Sequence, residues 1–149
     1  MPKTVLFVCV GNTFRSVLSE EMFNAGAPHG WVAESAGVSP EPRVAPAVEW
    51  LLREKGIKMR KRTPRLVTED MIASASRVVT FGCLDRCPIG AESKSEDWPF
   101  PGSTDKTPEE LRAIRDGLSK NIDDLISKIT SEVPESRSPA RIAKSGLDP

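Results

Sequence analysis

Histidine is almost missing from this sequence: His29 is the only one, in a polar stretch. A structural zinc site needs four ligands, and one histidine with three cysteines in two places does not supply them, so no metal is expected. Three cysteines also fall short of a disulfide framework and point to free thiols or redox chemistry. Neither sign of charge is in excess, with 21 Lys plus Arg against 21 Asp plus Glu. No basic stripe with interleaved aromatics appears, so no nucleic-acid partner is expected. The one basic cluster, Lys58-Met59-Arg60-Lys61-Arg62, reads as a solvated loop. No apolar run approaches the ~20 residues that span a bilayer. The chain also enters a strand-like run without a charged leader and a long apolar segment. A cytoplasmic monomer with no membrane partner is the expectation. Internal repeats are absent.

What is present is an alternation of strand and helix signals. Val5-Leu6-Phe7-Val8 is a continuous apolar run, the mark of a strand buried on both faces. After a small polar loop, Ser16 reads as a helix cap, with Glu20 and Glu21 following and the helix running to about Ala25. Trp31 to Ser35 reads as a second strand ending at Ala36-Gly37. Pro46 opens a helix with Val48, Leu51 and Leu52 inward, closed by Gly56. Thr68 caps a short helix, and Arg77 to Phe81 reads as a third strand. Asp97 to Phe100 is the candidate fourth strand. Thr107-Pro108-Glu109-Glu110 is a strong helix start, followed by a stripe of Leu111, Ile114, Leu118, Ile122, Leu125, Ile126 and Ile129. The expected fold is three-layer α/β/α around a four-stranded parallel sheet, spanning residues 1–130, with 131–149 as a flexible polar tail. In such sheets ligands sit at the carboxyl ends of strands, where Cys9 and Phe81-Gly82-Cys83 both fall.

The stretch from Cys9 to Ser16, CVGNTFRS, carries the chemistry. A loop feeding a helix N-terminus offers successive backbone N–H groups to an anion. Gly11 permits close approach, and Asn12 tolerates a left-handed backbone. Val10, Gly11, Asn12, Thr13, Phe14, Arg15 and Ser16 are thus the candidate oxyanion cradle, with Arg15 adding a planar fork of donors. A thiol at Cys9 would lie in a positive field that favours the thiolate. The alternative is a buried core cysteine before an ordinary turn, and the strand-loop-helix placement favours the cradle. Cys83 and Cys87, spaced Cys-x3-Cys, read as two loop thiols or as a redox pair able to exchange with Cys9.

CVGNTFRS resembles the signature loop of the low-molecular-weight protein tyrosine phosphatase fold. Glu20, Glu34-Ser35-Ala36-Gly37, Val78-Val79-Thr80 and Arg115-Asp116 stand in family-like places. Thr80 to Pro88, in the form Thr-x-Gly-Cys-x3-Cys-Pro, resembles the thiol-dependent arsenate reductases of that fold, and the absence of tyrosine is unlike its tyrosine phosphatases. The resemblance implies that Cys9 attacks arsenate while Arg15 and the loop amides hold the charge. Cys83 then attacks Cys9, Cys87 attacks Cys83, and thioredoxin or a similar thiol reductant resets the pair. No cofactor is implied. Asn12 and Ser16 would brace the loop.

The sequence departs from the family in three places. Gly102-Ser103 occupies the position of the family's acidic Asp, leaving Asp105 as the candidate substitute. Some members bind potassium through an Asn, a Glu, a Ser and an Asp. Asn12, Glu20 and Ser35 match three of these, and Arg65 stands at the fourth. Arg65 is therefore expected to supply the positive charge and to remove the need for potassium. Phe14 replaces a smaller residue and is expected to pack under the loop. Two readings compete with arsenate reduction: a phosphatase whose Cys83 and Cys87 protect Cys9, and a non-catalytic oxyanion or redox sensor.

Overall fold

The computed structural model describes residues 2–82 and 94–132. Four parallel strands, β1 (Lys3–Cys9), β2 (Trp31–Gly37), β3 (Arg77–Thr80) and β4 (Ser95–Asp97), form one sheet in the order β2-β1-β3-β4. The helices are α1 (Arg15–Ala25), α2 (Ala47–Arg53), α3 (Glu69–Ser74) and α4 (Pro108–Glu132). The expected three-layer architecture is present. Alternate residues of β1 enter two separate cores. Val5, Phe7 and Cys9 pack with residues of α1, α2 and α4, while Leu6 and Val8 pack with Val67, Ile72 and Ala75 beside α3. This is why β1 reads as an unbroken apolar run. Phe7 anchors the larger core, with ring contacts to Phe23, Phe81 and Trp98.

The chain leaves β1 toward β2 on one side and reaches β3 on the other. The point where strand order reverses therefore lies between β1 and β3, the usual place for a crevice at the strand ends. Cys9 ends β1 there, and Phe81 follows β3 one residue beyond the Val8–Thr80 pairing. Asp97 fixes this rim: its carboxylate accepts from the Thr80 hydroxyl at 2.5 Å and from the Gly82 N–H at 2.7 Å. Gly82 has φ 81°, which a side chain would strain.

Local signals hold at the helix ends. Thr68 Oγ1 accepts from Met71 N, and Thr107 and Glu110 cap one another reciprocally. The α4 stripe is buried as expected, except for half-buried Ile126. Three expectations need correction. β4 lies two residues earlier than anticipated, because an edge strand of half-buried Ser95, Glu96 and Asp97 has no apolar alternation to mark it. α4 runs through Glu132, and the rest of the expected tail lies outside the described residues. Ser16 is no cap: α1 starts at Arg15, Phe14 occupies the cap position without a side-chain bond, and Ser16 is buried in the first turn. Phe14 itself is buried in the larger core. Among the described residues no helix is long and apolar enough to cross a membrane.

Arg112 and Arg115 of α4 both bind Glu54 after α2, and Arg115 also donates to the Leu51 carbonyl. The Arg112 and then the Arg115 hydrogen bonds hold the Glu54 carboxyl at about 2, below the usual 4.5. A lowered carboxyl stabilises the folded chain above its unfolded value, and that contribution is lost as pH falls through the folded value. Glu54→Gln is therefore expected to melt below the parent at pH ~6, with the gap closing from about 4.5 down to about 2. Thermal melts across this range check it.

Candidate active site

The loop after β1 is tied along its outer side. The carbonyls of Cys9, Val10, Gly11 and Thr13 accept from the N–H groups of Val38, Ser39, Glu41 and Ala45 at 3.1, 2.8, 3.1 and 2.9 Å. The described peptides are trans, so each N–H points opposite to its carbonyl. The N–H groups of Val10, Gly11, Asn12 and Phe14 therefore face away from the 38–45 segment. Those of Gly11, Asn12, Thr13 and Phe14 donate to no acceptor among the described residues. Asn12 takes the left-handed conformation, φ 56°, that turns the loop back on itself. α1 then starts at Arg15 with no acidic side chain in its first turn, and the Glu41 carboxylate lies beside Gly11 on the loop that leads to it. A concave run of amide donors at a helix N-terminus suits a tetrahedral oxyanion.

Arg15 sits at the same rim. Its NH1 donates to the carbonyls of Phe81 (2.9 Å) and Phe100 (2.8 Å), which bridges the ends of the β3 and β4 segments. Three of the five guanidinium donors, on Nε and NH2, make no bond among the described residues. The side chain is thus held at one edge with further N–H groups available to a ligand.

Cys9 is buried at the mouth of this loop, and its Sγ lies 3.0 Å from Ser16 Oγ. Either atom can be the donor in that contact. Asn12 Nδ2 donates to Ser16 Oγ at 2.8 Å and to Ser35 Oγ at 3.1 Å, while Asn12 Oδ1 accepts from the Arg65 N–H at 3.0 Å. With its oxygen accepting from Asn12, Ser16 still holds a proton of its own that it can give to an acceptor at Sγ. Ser35 passes its proton to Glu20 Oε1 at 2.5 Å.

The other expected residues fall as follows. Val10, Gly11, Asn12, Thr13, Phe14, Arg15 and Ser16 form one loop and helix start beside Cys9, with Glu20 and Ser35 behind it. Asp105 is exposed, has φ 59°, and its side chain has no partner among the described residues. Cys83 and Cys87 lie outside the described residues. Arg65 does not meet Glu20: its Nε donates to the Ser35 carbonyl at 3.0 Å and its NH2 is 3.8 Å from Glu34. The charges that reach Glu20 are Arg60 and Arg62, both of which also bind Glu21. This corrects the reading of residues 58–62 as a solvated loop. Two glutamates buried on α1 require counter-charges, and these two arginines supply them.

With this geometry in place, the comparisons with known proteins are specific. The family model for low molecular weight phosphotyrosine protein phosphatase matches residues 4–88. The chain is 30% identical over 130 residues to an arsenate reductase of Staphylococcus aureus, covering 85% of this chain and 98% of that one. It superposes on the thioredoxin-dependent arsenate reductase of Corynebacterium glutamicum with TM-score 0.75 and 29% identity, covering 87% of this chain and 63% of that one. The YwlE arginine phosphatase of Geobacillus stearothermophilus gives TM-score 0.77 and 26% identity, covering 88% of this chain and 95% of that one.

Proposed function

The chain belongs to the low-molecular-weight phosphotyrosine protein phosphatase family, and from that premise we propose that it is an arsenate reductase with Cys9 as nucleophile. The observation that carries this reading is the buried Cys9 sulfur facing the Ser16 hydroxyl at the mouth of a loop whose amides are turned away from their carbonyl partners. The arsenate reductases among its relatives support the choice of substrate.

The Cys9 thiolate attacks arsenic and one arsenate oxygen leaves as water, giving a thioester of arsenic(V). Arg15 and the amides of residues 10 to 16 hold the oxyanion as charge shifts onto it. Cys83 thiolate then attacks the Cys9 sulfur. The S–S bond forms, the S–As bond breaks, and its electron pair goes to arsenic, which leaves as arsenite. Cys87 attacks Cys83 and frees Cys9, and a dithiol reductant such as thioredoxin reduces the Cys83–Cys87 disulfide. Three thiols are needed because each exchange requires a thiolate next to the sulfur it attacks. Asp105 is our candidate for protonating the departing oxygen, a role that requires it to approach the loop from its exposed position, and the ready exchange of arsenate esters lowers the demand on it.

Mass spectrometry tests the reading. After arsenate without reductant, the expected product has one intramolecular disulfide joining Cys83 to Cys87 and releases one arsenite per chain. Unchanged thiols with steady hydrolysis of p-nitrophenyl phosphate would instead establish a phosphatase. That second reading is favoured by one feature: donors arranged as in this loop accept phosphate as readily as arsenate.

A further inference from the structure

A glycine inside a helix costs stability relative to alanine, and α4 carries one, Gly117. The room it leaves is filled by a ring. A Cβ on Gly117 would lie 2.6 Å from Cε1 and 3.1 Å from Cζ of Phe100, so the missing side chain is the seat of the Phe100 ring. From that notch the half-buried ring packs against the larger core.

The backbone of the same residue belongs to the oxyanion site. Phe100 O accepts from Arg15 NH1 at 2.8 Å, beside the Phe81 carbonyl at 2.9 Å. These bonds use both NH1 protons and leave those on Nε and NH2 to a ligand. The two carbonyls are not held alike. Phe81 is buried and follows β3 directly. Phe100 lies beyond β4: Trp98 N–H donates to Thr80 O at 2.7 Å, and Phe100 N–H donates to Trp98 O at 2.8 Å, two residues back. Among the described residues no backbone bond from 101 to 106 returns to the sheet. The place of the Phe100 carbonyl therefore depends on where its ring is seated. Pro99 and Pro101 flank the residue and stiffen the backbone on either side, so a displaced ring carries its carbonyl with it.

We propose that Phe100, seated in the notch at Gly117, is a positioning residue for Arg15: the ring sets where the Phe100 carbonyl stands, and that carbonyl together with that of Phe81 fixes which edge of the guanidinium is offered to the oxyanion. This rests on the reading of residues 9–16 as an oxyanion site. It gives α4, which has no residue in the loop, a part in aiming the arginine that the loop motif alone does not contain.

The test measures binding of inorganic phosphate by calorimetric titration carried to saturation. Gly117→Ala is expected to weaken phosphate about tenfold, although alanine is the better helix former. Adding Phe100→Leu to that variant is expected to restore most of the loss, because leucine ends at Cδ, and Cδ1 of Phe100 lies 3.8 Å from the added carbon. In an Arg15→Met background, where only the loop amides remain to bind, Gly117→Ala is expected to cost nothing further. Phe100→Ala, which removes the ring and leaves the notch, is expected to match Gly117→Ala and serves in its place if Gly117→Ala fails to fold. A folded Gly117→Ala or Phe100→Ala chain with parental affinity overturns the proposal. So does a loss that persists in full without Arg15, or one that Phe100→Leu does not relieve. These outcomes leave the oxyanion site standing, whereas a parent chain that binds no phosphate overturns the site and the proposal together.

Discussion

Changing Cys9 to serine is expected to end both arsenate turnover and hydrolysis of p-nitrophenyl phosphate, by at least about 10³-fold, without unfolding the chain. The substitution is nearly isosteric at a buried position whose main polar neighbour, Ser16 Oγ at 3.0 Å, can bond a hydroxyl as well as a thiol. What disappears is the anion: a serine hydroxyl is not ionised near neutral pH, and the chain of donors behind Ser16 stabilises only a charge that exists. The amides of residues 10 to 14 and Arg15 are untouched, so phosphate should still raise the melting temperature of the variant about as much as it does the parent's. Cys83→Ser and Cys87→Ser separate the two chemistries. Each should abolish arsenate turnover with thioredoxin, because the arsenic(V) thioester or the first disulfide has no further thiol to go to. Each should retain hydrolysis of the phosphate ester, which needs only Cys9, Arg15 and water. Loss of both activities in all three variants would place Cys83 and Cys87 in the structure of the site rather than in electron relay.

The parts of this site that the sequence made visible are those built from neighbours. A strand, a small loop and a helix within residues 3 to 25 place Cys9 and Arg15 together by local geometry. The cap at Thr68 and the reciprocal pair of Thr107 and Glu110 each need only three residues of context. Ser16 shows the limit of such reasoning. A serine at a helix start looks the same whether its oxygen caps the helix or lies buried between an amide and a sulfur, and only the positions of Asn12 and Cys9 in the fold decide it. Arg60 and Arg62 stand some forty residues from Glu20 and Glu21, and a run of basic residues looks solvated until the buried acids it meets are known. The one local hint was on α1, where Glu20 and Glu21 stand three and four positions after buried Val17, on the face that turns to the core. β4 lacked even that, since an edge strand with one neighbour needs no apolar alternation.

The motif Glu34-Ser35-Ala36-Gly37 has a physical reason in the fold, and its last residue carries the second large effect. Gly37 pairs with Cys9 across β2 and β1, donates to the Arg65 carbonyl and accepts from Val67 N, so it is wedged between the strap and the loop. A Cβ here would lie 2.6 Å from Val10 O, 2.9 Å from Asn12 N and 3.0 Å from Asn12 Cβ. Two of these are backbone atoms of the oxyanion loop, which cannot swing aside as a side-chain tip can. Gly37→Ala is therefore expected to destabilise the chain by about 2–4 kcal/mol, lowering Tm by roughly 5–15 °C. Turnover should fall further than stability explains. Moving Asn12 disturbs the amide that donates to Ser16, and an ångström of displacement at a reacting site costs on the order of 10²-fold. Gly26→Ala is the control, its added carbon meeting only Ile126 Cδ1 at 3.9 Å. Thermal melts together with turnover measured well below the variant's Tm separate the two losses. A Gly37→Ala chain with parental turnover would show that the loop can shift by the width of a methyl group and still present its amides, and the rigid cradle inferred from the 38–45 ties would have to be given up.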